Sequence, residues 1–220
     1  MKNTRREFLA ATGAVGAAGL AGCTGQLTSE GAAFEATEAT LSANVQNETG
    51  YSHYRTVEDV QTREFSRFGI SRTVEVTSVI SEYDRAIELG FLGTRIQAAV
   101  FATLSTPTIT ILGRDFNPIA DMDTVAIAEM IQDRYDNIRN VQEDASFETE
   151  VAGETTAVTR FTADARLVEI GQGIEIYLYV SEPVELGEDF VVTLAGHPTA
   201  FGRNESTVRT LMGGVEHSGE

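Results

Sequence analysis

The stretch Ile174–Val180, IEIYLYV, decides the fold class. Branched and aromatic residues in a short run, bounded on both sides by turn signals, read as a β-strand. Gly171-Gln172-Gly173 precedes it and the acidic turn Glu182-Pro183-Val184-Glu185-Leu186-Gly187-Glu188-Asp189 follows it. Working outward, Phe190–Leu194 (FVVTL) forms the next strand. On the other side lie Thr155–Val168, a Gly153-Glu154 turn and Ser146–Val151. Four strands joined by connections this short pair as an antiparallel meander, because parallel strands need long crossovers.

Two helices frame the meander. Asp123 is the expected N-cap of the first, and Ile127, Met130, Ile131, Tyr135 and Ile138 recur at helical spacing. They make one apolar stripe, with Glu129, Asp133, Arg134 and Asp136 mostly outside it. Asn204 starts the second helix, which puts Val208, Leu211, Met212 and Val215 on one face before the weak Gly213-Gly214 end. Upstream, Arg72–Tyr83, Arg95–Ser105 and Thr108–Leu112 read as strands, with Pro107 breaking between the last two. Phe65–Ile70 reads as a shorter strand. Strands, helix, strands, helix is the order of an α+β domain. The expected architecture is an antiparallel sheet with a central and a C-terminal helix packed on one face. Residues 51–217 are the expected single domain. Residues 23–50, rich in Thr, Ser, Ala, Gly and Glu, read as a stalk, within which Leu41–Val45 is placed to join the fold.

The N-terminus carries an address. Leu9–Gly22 is too short for a bilayer span, which needs about 20 apolar residues, and its four glycines make a poor core helix. Lys2, Arg5 and Arg6 precede the apolar run, and small residues lead to Cys23. That is the layout of an export signal. Thr4-Arg5-Arg6-Glu7-Phe8-Leu9 resembles the twin-arginine (Tat) consensus. Leu20-Ala21-Gly22-Cys23 resembles a lipobox, in which the Cys23 thiol receives a lipid and the chain is cut just before it. Residues 1–22 are then removed, the Tat translocase is the partner during export, and Cys23 holds the protein to membrane lipid at the outer face of the cell membrane.

Charge describes the environment. Lys2, Arg5, Arg6 and Glu7 contribute +2, so residues 23–220 carry −19 against −17 for the whole chain. No lysine follows Lys2. Such an excess repels itself at low ionic strength. At about 1 M salt the Debye length shrinks to roughly 3 Å and the repulsion is largely screened, so the composition reads as salt adaptation. Acids spread along the whole chain leave no basic stripe for phosphates, and nucleic acid is not an expected partner.

Catalytic motifs are not found. His53, His197 and His217 lack metal-ligand spacing and no His-Glu-x-x-His pattern occurs; His197, beside Pro198, reads as a turn residue. There is no Gly-x-Ser-x-Gly elbow and no lysine for Schiff-base chemistry in the mature chain. No cofactor and no metal are expected. Asp121, Asp123 and Glu129 are the carboxylates available to a small extracytoplasmic hydrolase or cation-binding protein, the alternative reading. They and the acidic turn lack EF-hand spacing, and a solvated, salt-adapted surface accounts for them. Asn47-Glu48-Thr49 and Asn204-Glu205-Ser206 are candidate N-glycosylation sequons, although Asn204 also fits as a helix cap.

Thr49-Gly50-Tyr51, Thr106-Pro107, Gly113 through Asn117-Pro118 and a final helix ending near His217 carry a resemblance. Across residues 51–217 the chain resembles a family of uncharacterised haloarchaeal Tat-exported lipoproteins, a domain of unknown function. More distantly, Thr108–Val215 is similar to the sheet-and-helix fold of PsbP-like and LpqN-type lipoproteins. The resemblance implies a binding or accessory role rather than an enzyme. The expectation is therefore a non-enzymatic, salt-adapted lipoprotein that meets a surface protein or a ligand.

Overall fold

A computed structural model of the chain describes residues 32–67, 70–89, 94–111, 114–117, 119–134, 138–167 and 172–218. Arg5, Arg6, Cys23 and the whole expected signal segment lie outside the described residues. In chain order the elements begin with β1 (Ala32–Glu35), β2 (Ala39–Leu41), α1 (Ala43–Thr49), β3 (Ser52–Arg67) and β4 (Ile70–Leu89). Next come β5 (Thr94–Pro107), β6 (Ile109–Ile111), β7 (Arg114–Phe116) and α2 (Thr124–Arg134). The last group is β8 (Ile138–Val151), β9 (Glu154–Leu167), β10 (Gln172–Ser181), β11 (Val184–Leu186) and β12 (Asp189–Pro198). A 3-10 turn at Thr199–Phe201, α3 (Glu205–Gly213) and β13 (Val215–His217) complete it.

Nine strands form one sheet along the path β1-β4-β5-β12-β10-β9-β8, with β3 on β4 and β11 on β12. The meander read from IEIYLYV is present: β8, β9, β10 and β12 are antiparallel neighbours. Parallel pairing occurs in this sheet between β1 and β4. The fold is thus α+β, with a mostly antiparallel sheet and helices packed against it.

Strand parity places the helices. Leu178 stands opposite Phe161 and Tyr179 opposite Arg160, so these two pairs point to opposite faces. Phe161, Leu178, Val180 and Val192 pack with Ile119, Ile127, Ala128 and Ile131 of the α2 region. Tyr179, Val158, Val191, Ala195 and Phe101 pack with Val208, Leu211 and Met212 of α3. The two helices therefore lie on opposite faces, which corrects the expectation that both share one. Each helix needs only one apolar face beneath it. A strand such as β10, apolar on both sides, supplies a face to each, and this is why it reads as a continuous apolar run.

Other boundaries differ for physical reasons. The first helix ends at Arg134, and Tyr135 lies outside the described residues. Ile138 opens β8 yet still packs with Ile127 and Ile131. Val215 likewise leaves α3 for β13 but stays in the core with Val208 and Leu211. In both cases the apolar spacing reports a shared core, and the chain changes conformation within it. The strand expected over Phe65–Ile70 is β3 instead, which begins at Ser52 and carries exposed side chains over residues 52–64 apart from half-buried Asp59. Without a buried face it has no alternation to read.

The stalk boundary also moves. β1, β2 and α1 bring residues 32–49 into the fold, with Ala39 and Leu41 buried. The Leu41 amide donates to Tyr83 Oη at 2.9 Å, and β2 pairs with β13. α1 approaches α3 so closely that a Cβ at Gly214 would lie 2.5 Å from Val45 Cγ2. Gly214 therefore makes the helix contact as well as ending the helix.

The sequence pairs behind the resemblance have local work. Gly50 caps α1 in the left-handed region (φ 73°), donating to Gln46 O. Asn117 Nδ2 donates to Thr106 Oγ1 at 2.9 Å and to Pro107 O at 3.1 Å, while its Oδ1 accepts from the Ile119 amide at 2.9 Å. Thr106-Pro107 and Asn117 thus staple the end of β5 to the approach to α2.

Candidate functional site

Arg85 of β4 stands opposite Ala99 of β5. The β5–β12 pairing runs to Val100 and Gly196, so the next residues, Ala99 and His197, are neighbours. His197 in turn stands opposite Tyr177 of β10. Arg85, Ala99, His197 and Tyr177 therefore form one row across four strands on the α3 face. A small Ala between two long side chains leaves a hollow, and a register shift in β4 immediately after Arg85 adds local twist.

The 3-10 turn and the start of α3 roof this hollow. The result is a cavity of about 320 Å³ lined by Tyr51, Arg85, Ala99 and His197 below and by Phe201, Asn204, Thr207 and Val208 above. The roof needs unusual backbone. Gly202 has φ 73° and Asn204 has φ 43°, and Asn is among the few residues with a side chain that tolerate the left-handed region. Between them, the Arg203 carbonyl accepts the Tyr179 hydroxyl, which ties the roof to the sheet. Asn204 occupies the N-cap position without a side-chain capping bond. This corrects the capping expectation and leaves its amide at the cavity.

The polar groups of the cavity differ in their states. Burial pushes the Tyr51 phenol up to about 12, against the opposing pull of the Arg85 charge, so it serves as a hydroxyl donor. His197 is only 4% exposed and packs edge-on to Tyr177, with centroids 5.9 Å apart. Its Nδ1 lies 3.2 Å from the Pro198 carbonyl, which can only accept, so Nδ1 carries the proton. In the tautomer that carries its proton there, Nε2 is an acceptor, and it is buried without a partner among the described residues. His197 is thus a buried strand residue, not the expected turn residue.

A second polar cluster lies deeper on the same face. Asp189 belongs to the acidic turn that reads as solvated surface, yet it is 2% exposed. Its Oδ2 accepts from the Thr37 amide at 2.8 Å and meets His217 Nε2 at 3.0 Å. The contact joins β12 to segments near both ends of the described chain. Burial of both groups marks it as a structural clasp. The sequence offers only a weak signal for it: Asp189 is the acid that directly precedes an apolar run.

The other expected residues are dispersed. Asp123 caps α2 as expected, its Oδ1 accepting from the Ala126 amide at 2.8 Å. Asp121 and Glu129 are exposed and, like Asp123, do not line the cavity. Asn47 is exposed on α1, and Asn204 is exposed at the cavity rim. His53 is exposed and lies 2.9 Å from Thr56 Oγ1. Among the described residues, no group of three or more His, Cys, Asp and Glu side chains is placed to hold a metal ion. No described helix is long and apolar enough to cross a membrane. The cavity residues were missed because no spacing unites them. They come from β4, β5, β12, the roof turn, α3 and the residue before β3, and only sheet register assembles them.

By fold and site the chain is an α+β domain with a small cavity of mixed polarity on one face of its sheet. It belongs to the family described as a domain of unknown function (DUF6517), whose model matches residues 38–216. That span takes in all of β2 and α1. No curated protein matches the chain.

Proposed function

We propose that this protein is an exported lipoprotein, tethered through Cys23 at the outer face of the membrane, whose domain is a non-enzymatic binding module working through the Tyr51–Arg85–His197–Asn204 cavity. The observation that carries the reading is the buried His197 Nε2 in that cavity, which has no hydrogen-bond partner among the described residues. A buried acceptor without a donor costs about 1–3 kcal/mol, and a ligand that supplies the donor recovers it. The arginine pair at Arg5-Arg6 and the Leu20–Cys23 lipobox support export and anchoring. The charge of residues 23–220 supports a high-salt setting outside the cell, where screening removes the self-repulsion.

The test uses the full chain purified from its own membranes and examined by native mass spectrometry beside two variants. Wild type is expected to fractionate with membranes and to retain a small molecule. Cys23→Ser should release the protein with its ligand still bound. Ala99→Leu, which fills the hollow, should stay on the membrane and lose the ligand. Membrane retention of Cys23→Ser would overturn the anchor. A ligand kept by Ala99→Leu, or none in the wild type, would overturn the binding site.

A further inference from the structure

Arg85 is the arginine that lines the cavity, in a chain with 33 acidic residues, and like Arg63, Arg139, Arg166 and Arg203 it is not engaged by a carboxylate among the described residues. Arg55 holds Glu82, Arg160 holds Asp144 and Glu205, and Arg209 holds Glu205. Arg85 makes no ion pair among the described residues. It stands instead at a cavity whose lining includes no acidic side chain. In so acidic a protein, a guanidinium left without a carboxylate of its own is placed to receive one from outside, and its planar fork matches a carboxylate in two parallel hydrogen bonds.

The remaining groups narrow the ligand. Tyr51, kept protonated by burial, is a second donor to an anion. His197 asks for the opposite: with the proton on Nδ1, its buried Nε2 needs a donor. Asn204 offers both an acceptor and two donors at the rim, since its side chain caps nothing. A plain carboxylate satisfies Arg85 and Tyr51 but brings nothing for Nε2. A neutral alcohol does the reverse. The volume of about 320 Å³ sits at the small end of ligand cavities.

We infer that the cavity takes a small organic carboxylate that carries a hydroxyl donor beside its acid group, the 2-hydroxy acids being the simplest members. The carboxylate meets Arg85 and Tyr51, and the hydroxyl donates to His197 Nε2. This rests on reading the cavity as a binding site, and it adds the chemical class of the occupant.

The test titrates the full chain, in detergent and at fixed high ionic strength, with lactate, acetate or glycerol. Calorimetry gives affinity, and the imidazole ¹⁵N resonances report on Nε2. Lactate is expected to bind roughly tenfold or more tightly than acetate, the worth of one well-made hydrogen bond to a buried acceptor. It should also shift the His197 Nε2 resonance, while glycerol leaves both readouts unchanged. Arg85→Gln should abolish binding of both acids. His197→Gln should bring lactate down to the level of acetate. If that variant does not fold, Tyr51→Phe, which keeps the ring in place, should still weaken both acids about threefold or more. Equal affinity for lactate and acetate, or no binding of either, would overturn the inference. Glycerol binding as well as lactate would remove the carboxylate assignment while leaving the cavity a binding site.

Discussion

The two ends of the sheet use long antiparallel strands and place them in opposite environments. At one end β3 and β4 pair from Ser52–Asp84 to Arg67–Ile70, and the side chains of residues 52–64, half-buried Asp59 apart, stand in solvent on both faces. At the other end the meander lies between α2 and α3. Val60 of β3 is 54% exposed, whereas Val158 of β9 is fully buried. The residue type is the same, so the covering layers decide what each valine contributes. The lesson concerns stability and sequence together: where both faces are covered, side chains are mostly apolar and costly to change. Where neither face is covered, the strand is held by its backbone ladder and a few cross-strand pairs such as Arg55–Glu82, and exposed pairs of that kind are worth about 1 kcal/mol or less.

The comparison breaks or sharpens under substitution, measured by denaturant unfolding at high salt. Phe161→Ala, in the layer beneath α2, should cost about 3–5 kcal/mol through transfer and cavity terms. A loss below about 1 kcal/mol would mean that α2 does not seal that face. Asp189→Ala should cost somewhat less, about 1–3 kcal/mol, because it removes the buried acceptor that the Thr37 amide and His217 Nε2 meet. An effect confined to fraying of β13, with global stability unchanged, would show that the clasp fastens only the terminus.

Tyr51 stands where the two regions meet, and its effect is one of pH. Its folded pKa of about 12 lies above the ordinary value of 10.0, so the folded state holds the proton longer. That contribution is present in full below pH 10 and is lost as pH rises to about 12. It amounts to on the order of 2 kcal/mol. Tyr51→Phe should flatten the stability profile in that window, and an unchanged slope would mean that the phenol is not buried. Gly214→Ala, which drives a Cβ against Val45, should cost about 1–3 kcal/mol by overpacking. Val60→Ser should sit at the bottom of the scale, within about 0.5 kcal/mol. A loss comparable to that of Phe161→Ala would show that something covers the β3 hairpin in solution.

Legibility followed burial. IEIYLYV, FVVTL and the helix stripes were readable because buried elements carry period and composition. β3 was legible only at its far end, since SHYRTVEDVQTREFSR alternates neither apolar with polar nor small with large. The helix ends were overrun at Ile138 and Val215, because an apolar residue at helical spacing reports the core it enters rather than the backbone it sits on. Of the cavity, Asn204 reads as a cap and sequon, His197 as a turn and Val208 as part of a helix stripe, none of them as a binding residue. Their neighbours there, Arg85 and Tyr51, carry no local signal of a site.

The sequence by itself determined the α+β class, the meander and the cap at Asp123. These follow from side-chain periodicity and from which residues tolerate a given backbone conformation, and both are local properties. Only the tertiary structure decided that α2 and α3 take opposite faces, that Asp189 is buried against His217 and that Arg85, Tyr51 and His197 share a cavity. Those facts depend on strand register and parity. They arise when residues from different elements, many positions apart, are brought opposite one another, and no local pattern encodes that distance.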